Sequence, residues 1–159
     1  MRLVLLDTRI PARLDAASQL CADVAALVAA ELGEQPGCEL RLGLMESLSN
    51  IIRHGGLAEQ ALIGVRVESD PTGWRLSISD AGRPIPAEQL RQAASAALDP
   101  EPYQPAFAPT SGMGLQLLYR IFDRIDYHSG AQGNLLRLQR CLNRSSCRPR
   151  TDAPRSRPR

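Results

Sequence analysis

ELRLGLMESLSNIIRHGG, residues 39–56, is the stretch from which the rest of the chain is understood. It has the pattern of a helix carrying Glu46, Asn50 and His54 at four-residue intervals, and residues four apart share one helix face. A carboxylate, an amide and an imidazole are thereby aligned. Leu44, Leu48, Ile51 and Ile52 form an adjoining apolar stripe suited to a core. Gly55-Gly56 ends the helix. A buried stripe beside a polar row is what a helix needs to hold a site against a sheet.

On the N-terminal side, residues 2–7 (RLVLLD) form a short buried strand, followed by a turn at Ile10-Pro11. Apolar residues recur at helical spacing over residues 12–32, a helix closed by Gly33 and by Gln35-Pro36-Gly37. On the C-terminal side, residues 61–69 and 74–79 alternate, with Ile63, Val65 and Val67, then Trp74, Leu76 and Ile78, on the inward faces. Asp70-Pro71-Thr72-Gly73 joins them into a hairpin. It runs directly into Asp80-Ala81-Gly82-Arg83-Pro84.

Residues 85–111 differ in kind. A short helix is expected over residues 87–98, followed by four prolines at 100, 102, 105 and 109. A long irregular segment inside a compact domain is usually functional or disordered. Regular structure returns with Ser111-Gly112-Met113-Gly114, which opens a helix over residues 115–122. Two more strands follow, residues 124–129 and 134–141, joined around Gly130–Gly133. The order β-α-α-β-β-(lid)-α-β-β predicts an α+β two-layer sandwich: a mixed, mostly antiparallel sheet with helices on one face.

Composition sets outer limits. The chain has 159 residues, enough for one domain with a real core, and is 43% hydrophobic and 23% charged. No apolar run reaches the ~18–20 residues that span a bilayer. The start lacks a signal-peptide pattern, so a cytoplasmic location is expected. The net charge of +2 averages two unlike parts: residues 143–159 hold six Arg and one Asp, and the remainder holds 13 Arg against 16 acids. The acidic body argues against nucleic-acid binding. The basic, Pro- and Ser-rich tail is expected to be disordered. None of the 19 basic residues is lysine, which excludes lysine-dependent catalysis. The cysteines at 21, 38, 141 and 147 show no C-x-x-C pair, so neither a zinc site nor a redox motif is expected, and their roles should be structural or neutral.

Three separated segments suit one purpose: Glu46-x-x-x-Asn50-x-x-x-His54, Asp80-x-Gly82 at a strand end, and Ser111-Gly112-Met113-Gly114-Leu115 at a helix start. Each alone has an ordinary reading. Asp-x-Gly is commonly a turn, a Glu and Asn four apart are commonly solvated, and a His at a helix C-terminus meets the dipole. Glycines before a helix N-terminus make a good phosphate seat. All three in this order, with a lid-like segment between the second and third, are far less expected by chance than any one alone.

The three segments resemble the boxes of the GHKL-type ATP-binding (Bergerat) fold shared by gyrase-type ATPases, sensory histidine kinases and MutL. Within that group the chain is most similar to the small stand-alone anti-sigma-factor serine kinases of bacterial partner switching. MESLSNIIRHG corresponds to their N-box, ISDAGRPIP to the first glycine box and TSGMGLQLL to the second. The resemblance spans about residues 3–141. It implies an ATP-binding kinase domain over 1–142, a lid over about 83–113, and a tail over 143–159 outside the domain.

Roles follow from the resemblance. Glu46 would be the general base and Asn50 the Mg²⁺ ligand. Asp80 would accept a hydrogen bond from the adenine amino group, and Gly82 would admit the base. Ser111, Gly112, Met113, Gly114 and Leu115 would form the closing end of the lid and the phosphate-facing helix start. His54 would be a companion to the nucleotide or simply a helix-terminal residue. Arg83 is expected to be solvated. Pro84 stands where gyrase-like relatives often have a second glycine, a departure the small serine kinases share. The implied cofactors are ATP and Mg²⁺. The implied partners are a STAS-type anti-sigma-factor antagonist, a sigma factor or comparable target, and a second copy of the chain. A non-catalytic ATP-binding module is the alternative.

Overall fold

A computed structural model describes residues 2–98 and 113–142. Five strands and four helices follow one another along them: β1 (Leu3–Pro11), α1 (Leu14–Leu32), α2 (Glu34–His54), β2 (Leu62–Asp70), β3 (Gly73–Asp80), α3 (Ala87–Ala97), α4 (Met113–Ile121), β4 (Arg124–Gly130) and β5 (Gly133–Cys141). The strands form one sheet in the order β1-β2-β3-β5-β4. Every pairing is antiparallel, a purer sheet than the mixed, mostly antiparallel one expected.

Sequence periodicity explains the layers. Ile63, Val65 and Val67 on β2 and Trp74, Leu76 and Ile78 on β3 are all buried, as alternation requires. Leu40, Leu44 and Leu48 of α2 lie fully out of solvent beneath them. Each such side chain contributes about 1.5–3 kcal/mol of transfer free energy. Helix α1 packs along α2 and against β1, and α4 packs against α2 from the other side.

The boundary between α1 and α2 differs from expectation. Gln35-Pro36-Gly37 is not a loop but the first turn of α2. Only Gly33, at φ 101°, separates the helices, a conformation that favours glycine. Proline is tolerated in a first turn because its missing N–H has no intrahelical acceptor there. Gly37 then marks where the helices touch: a Cβ there would lie 2.8 Å from the Ala25 carbonyl oxygen. The first strand also extends beyond residue 7, through the supposed turn to Pro11, paired with β2 over its whole length apart from a bulge between Val4 and Leu6.

Two side-chain contacts fix α2 and α4 on the sheet. Arg140 of β5 binds Glu39 of α2 at 2.9 Å and Asp123, just after α4, at 3.1 Å. Trp74 of β3 meets Phe122 edge to face at a centroid distance of 5.4 Å. Phe122 in turn occupies the space left by Gly43 on α2, where a Cβ would collide with its ring. The Trp74 indole N–H is buried without a hydrogen-bond acceptor among the described residues.

The tail over 143–159 and residues 99–112 of the expected lid lie outside the described residues. Cys21 is buried, and desolvation pushes its thiol up to about 11; Cys38 is exposed. Cys141 is disulfide-bonded, a structural role that the cysteine spacing alone does not reveal.

Candidate functional site

The C-terminal half of α2, the end of β3 and the helix α4 converge on one cleft. Asn50, His54, Asp80 and Leu115 all line it, together with Ile51, Ile85, Leu118 and Leu136. Four of the expected site residues are thus brought together from three distant segments. Apolar side chains of α2, α4 and β5 share its walls with polar ones, among them Asn50, His54, Asp80 and Tyr127, a mixture that suits a small-molecule site.

Asp80 is the most firmly held of these groups. Its Oδ1 accepts the Gly82 N–H at 2.7 Å and an Nδ2–H of Asn134 at 2.9 Å. The second Nδ2–H of Asn134 goes to the Gly82 carbonyl, also at 2.9 Å. Asn134 is only 5% exposed, so both of its donors are satisfied inside the protein. With Oδ1 doubly occupied, Oδ2 is left without a hydrogen bond among the described residues. It is the oxygen available to an external donor.

Gly82 is where the loop after β3 meets the end of α2. A Cβ there would stand 2.8 Å from the Gly55 carbonyl oxygen and 3.0 Å from Asp80 Oδ1. The same Gly55 carbonyl accepts the Arg83 N–H at 2.7 Å, so a last-turn helix carbonyl that would otherwise lack a partner is satisfied by the loop. The Arg83 side chain is exposed, as expected, and lies along Gly56 and the rim of the cleft.

Sequence reasoning missed two residues. One is Asn134, whose link to Asp80 depends on the β3–β5 pairing that sets them directly opposite. These strands are 54 residues apart at that point, and no local pattern announces their contact. The other is Tyr127 on β4, which lines the cleft and whose hydroxyl oxygen accepts the Ile85 N–H at 2.9 Å. Burial raises the Tyr127 phenol above its ordinary range; the Ile85 N–H opposes this and the Asp80 carboxylate adds to it. The hydroxyl therefore stays protonated at neutral pH and anchors the start of the segment leading to α3.

Glu46 sits one turn before Asn50 but does not line the cleft. Its carboxylate instead lies against the backbone of Gly114, where any Cβ would meet Oε2. The helix start of α4 and the carboxylate of α2 are therefore in contact, as a site shared by the two segments requires. Ser111 and Gly112 lie outside the described residues, and Met113 is placed only as the first residue of α4.

The donor set fits the groups that the resemblance implies. A carboxylate oxygen held open beside an apolar slot suits the amino group of a purine. A lone amide oxygen such as that of Asn50 suits Mg²⁺, which keeps waters and takes its other ligands from phosphates. No cluster of three or more His, Cys, Asp or Glu suited to a metal occurs among the described residues. The cleft is narrow, about 50 Å³, against ~300–1,000 Å³ for typical ligand pockets. No helix among the described residues is long and apolar enough to cross a membrane.

No functionally curated protein matches in sequence. Among solved structures, the catalytic domain of histidine kinase ThkA is similar at 18% identity and a TM-score of 0.49, covering 86% of this chain and 97% of that one. A mycobacterial sensor histidine kinase, MprB, is similar at 16% identity and a TM-score of 0.47, covering 84% and 97%. The family assignment rests on neither. Residues 10–140 match the histidine kinase-like ATPase domain, and the five-stranded antiparallel sheet with its helices has that domain's α+β architecture. The chain belongs to the histidine kinase-like ATPase family.

Proposed function

We propose that the protein is an ATP-dependent serine/threonine kinase that also serves as an anti-sigma regulatory factor. It would bind a sigma factor or comparable target and phosphorylate a serine on a STAS-type antagonist. The observation that carries the kinase reading is the Glu46 carboxylate set against Gly114, one turn from Asn50 on the same helix. The choice of serine and of these partners is supported by the likeness of the three boxes to the anti-sigma-factor kinases.

In this reading Asp80 Oδ2 accepts the adenine amino group while Asn134 and Gly82 fix the carboxylate's orientation. Ile51, Leu115, Leu118 and Leu136 exclude water from the base. Asn50 would hold Mg²⁺, which supplies charge neutralisation on the phosphates. Glu46 takes the proton from the attacking serine hydroxyl as the oxygen bonds to the γ-phosphorus. The bond to the β-phosphate oxygen breaks and ADP leaves.

The test is γ-phosphate transfer from ATP-Mg²⁺ to a STAS-type antagonist, with labelled nucleotide binding measured in parallel. Glu46→Gln is expected to bind ATP within about twofold of the native protein while transfer falls by about 10²–10⁴-fold. Transfer that survives the substitution removes Glu46 as base. Failure of the native protein to bind ATP removes the whole reading. A second reading, a binding module that holds ATP without catalysis, draws on the absence of Glu46 from the cleft lining; ATP binding without transfer by the native protein would select it.

A further inference from the structure

The sheet has a second face, turned away from the helices. Cross-strand register puts Asp7, Arg66, Ser77 and Arg137 in one row across β1, β2, β3 and β5, and Arg9, Gly64, Ser79 and Leu135 in the next. Glu68 and Arg75 stand in a third. These residues line a hollow of about 380 Å³. Small residues form its floor: a Cβ on Gly64 would lie 2.5 Å from Ser79 Oγ. Long cationic side chains form its walls.

The charges in this hollow do not balance. Arg66 is bound by Asp7 at 2.7 Å and reaches Glu68 at 3.4 Å. Those two acids are thereby engaged, and Asp126 on β4 is bound by Arg124. Arg9, Arg75 and Arg137 form no hydrogen bond or ion pair among the described residues. Desolvation holds the half-buried Arg75 guanidinium below the usual arginine range, and the nearby Arg2, Arg137 and Arg124 add to this against Glu68. Cations gathered over a floor of hydroxyls and glycine make a site that an anion would complete.

We propose that this hollow receives an acidic segment of a partner protein, whose carboxylates pair with Arg75, Arg137 and Arg9. Arg75, Arg137 and Arg9 step through three consecutive rows of the sheet. Arg75 and Arg137 lie one row apart on the neighbouring strands β3 and β5, and Arg9 lies on β1, two strands from β3 on its other side, so the three cations spread across the hollow. A second copy of this chain would bring three more uncompensated arginines against these three. The chain's own C-terminal segment, with six Arg and one Asp over residues 143–159, has the wrong sign. A nucleic acid is disfavoured because no aromatic side chain is among the residues that line the hollow. The site lies across the sheet from the nucleotide cleft and does not depend on it.

The experiment uses the full chain and fluorescence anisotropy with a short labelled peptide alternating Glu and Ser. Binding should weaken as salt rises. The triple variant Arg9→Gln, Arg75→Gln, Arg137→Gln should bind about tenfold more weakly, the sum expected of three partly exposed charge pairs. Replacing the six tail arginines by Gln should change the affinity less than twofold, and circular dichroism melts should show both variants folded. The proposal is overturned if the native chain does not bind the peptide, or if the tail variant loses binding and the triple variant keeps it. It is also overturned if a single-stranded oligonucleotide binds the hollow more tightly than the peptide, or if the triple substitution instead dissolves a dimer of the native chain.

Discussion

Asn134 donates both hydrogens of its amide, one to Asp80 Oδ1 and one to the Gly82 carbonyl. Removing it leaves a partly buried carboxylate and a carbonyl each short of a donor, at a cost of about 1–3 kcal/mol. Part of that cost falls on ligand binding, because Asp80 loses the contact that turns its other oxygen outward. Asn134→Ala is therefore expected to weaken ATP binding by about tenfold and to narrow the preference for ATP over GTP, read by competition against a fluorescent nucleotide. Equal loss for both nucleotides would reduce Asn134 to a scaffold role. Glu46, by contrast, lies against Gly114 and does not line the cleft, so its substitution should leave the adenine end of the cleft intact.

At the level of elements, the meeting of α2, α4 and the sheet turns on a missing side chain. Gly43 leaves room for the Phe122 ring, and Phe122 supports Trp74. Gly43→Ala should destabilise the fold by about 1–3 kcal/mol through overpacking, seen as a lower urea midpoint at unchanged slope. Combining it with Phe122→Leu should cost less than the sum of the two single changes. The polar row of α2, the hairpin and the glycine starts could all be read from local patterns, because periods of 3.6 and 2 are properties of adjacent residues. The start of α2 was hidden by Pro36 and Gly37, residues that usually punctuate but here fit a first turn and a close helix contact. Asn134 and Tyr127 were hidden for a different reason. Their work depends on which strands lie side by side, and β5 enters between β3 and β4 only in three dimensions.

For the molecule as a whole, the cleft joins α2, the loop after β3, β4 and α4, so a ligand that bridges them should stabilise all of them together. At a concentration about 100 times its dissociation constant, ATP-Mg²⁺ should add about 2.7 kcal/mol, raising the melting temperature by about 5–10 °C. Chelating the Mg²⁺ should remove most of that shift in the native protein and little of a smaller one in Asn50→Ala, which separates metal-dependent binding from general anion effects. The Trp74–Phe122 contact offers another way to follow the same event. Trp74 is the chain's single tryptophan and is 2% exposed. Its indole N–H has no acceptor among the described residues, and its edge-to-face partner lies at the end of the helix whose first turn faces the Glu46 carboxylate. The protein thus carries an unlabelled optical probe at the far end of α4. Its emission should be blue-shifted in the free protein and should change in intensity when ATP-Mg²⁺ is mixed in, giving the rate at which that helix responds to ligand; emission indifferent to nucleotide would mean that α4 stays still.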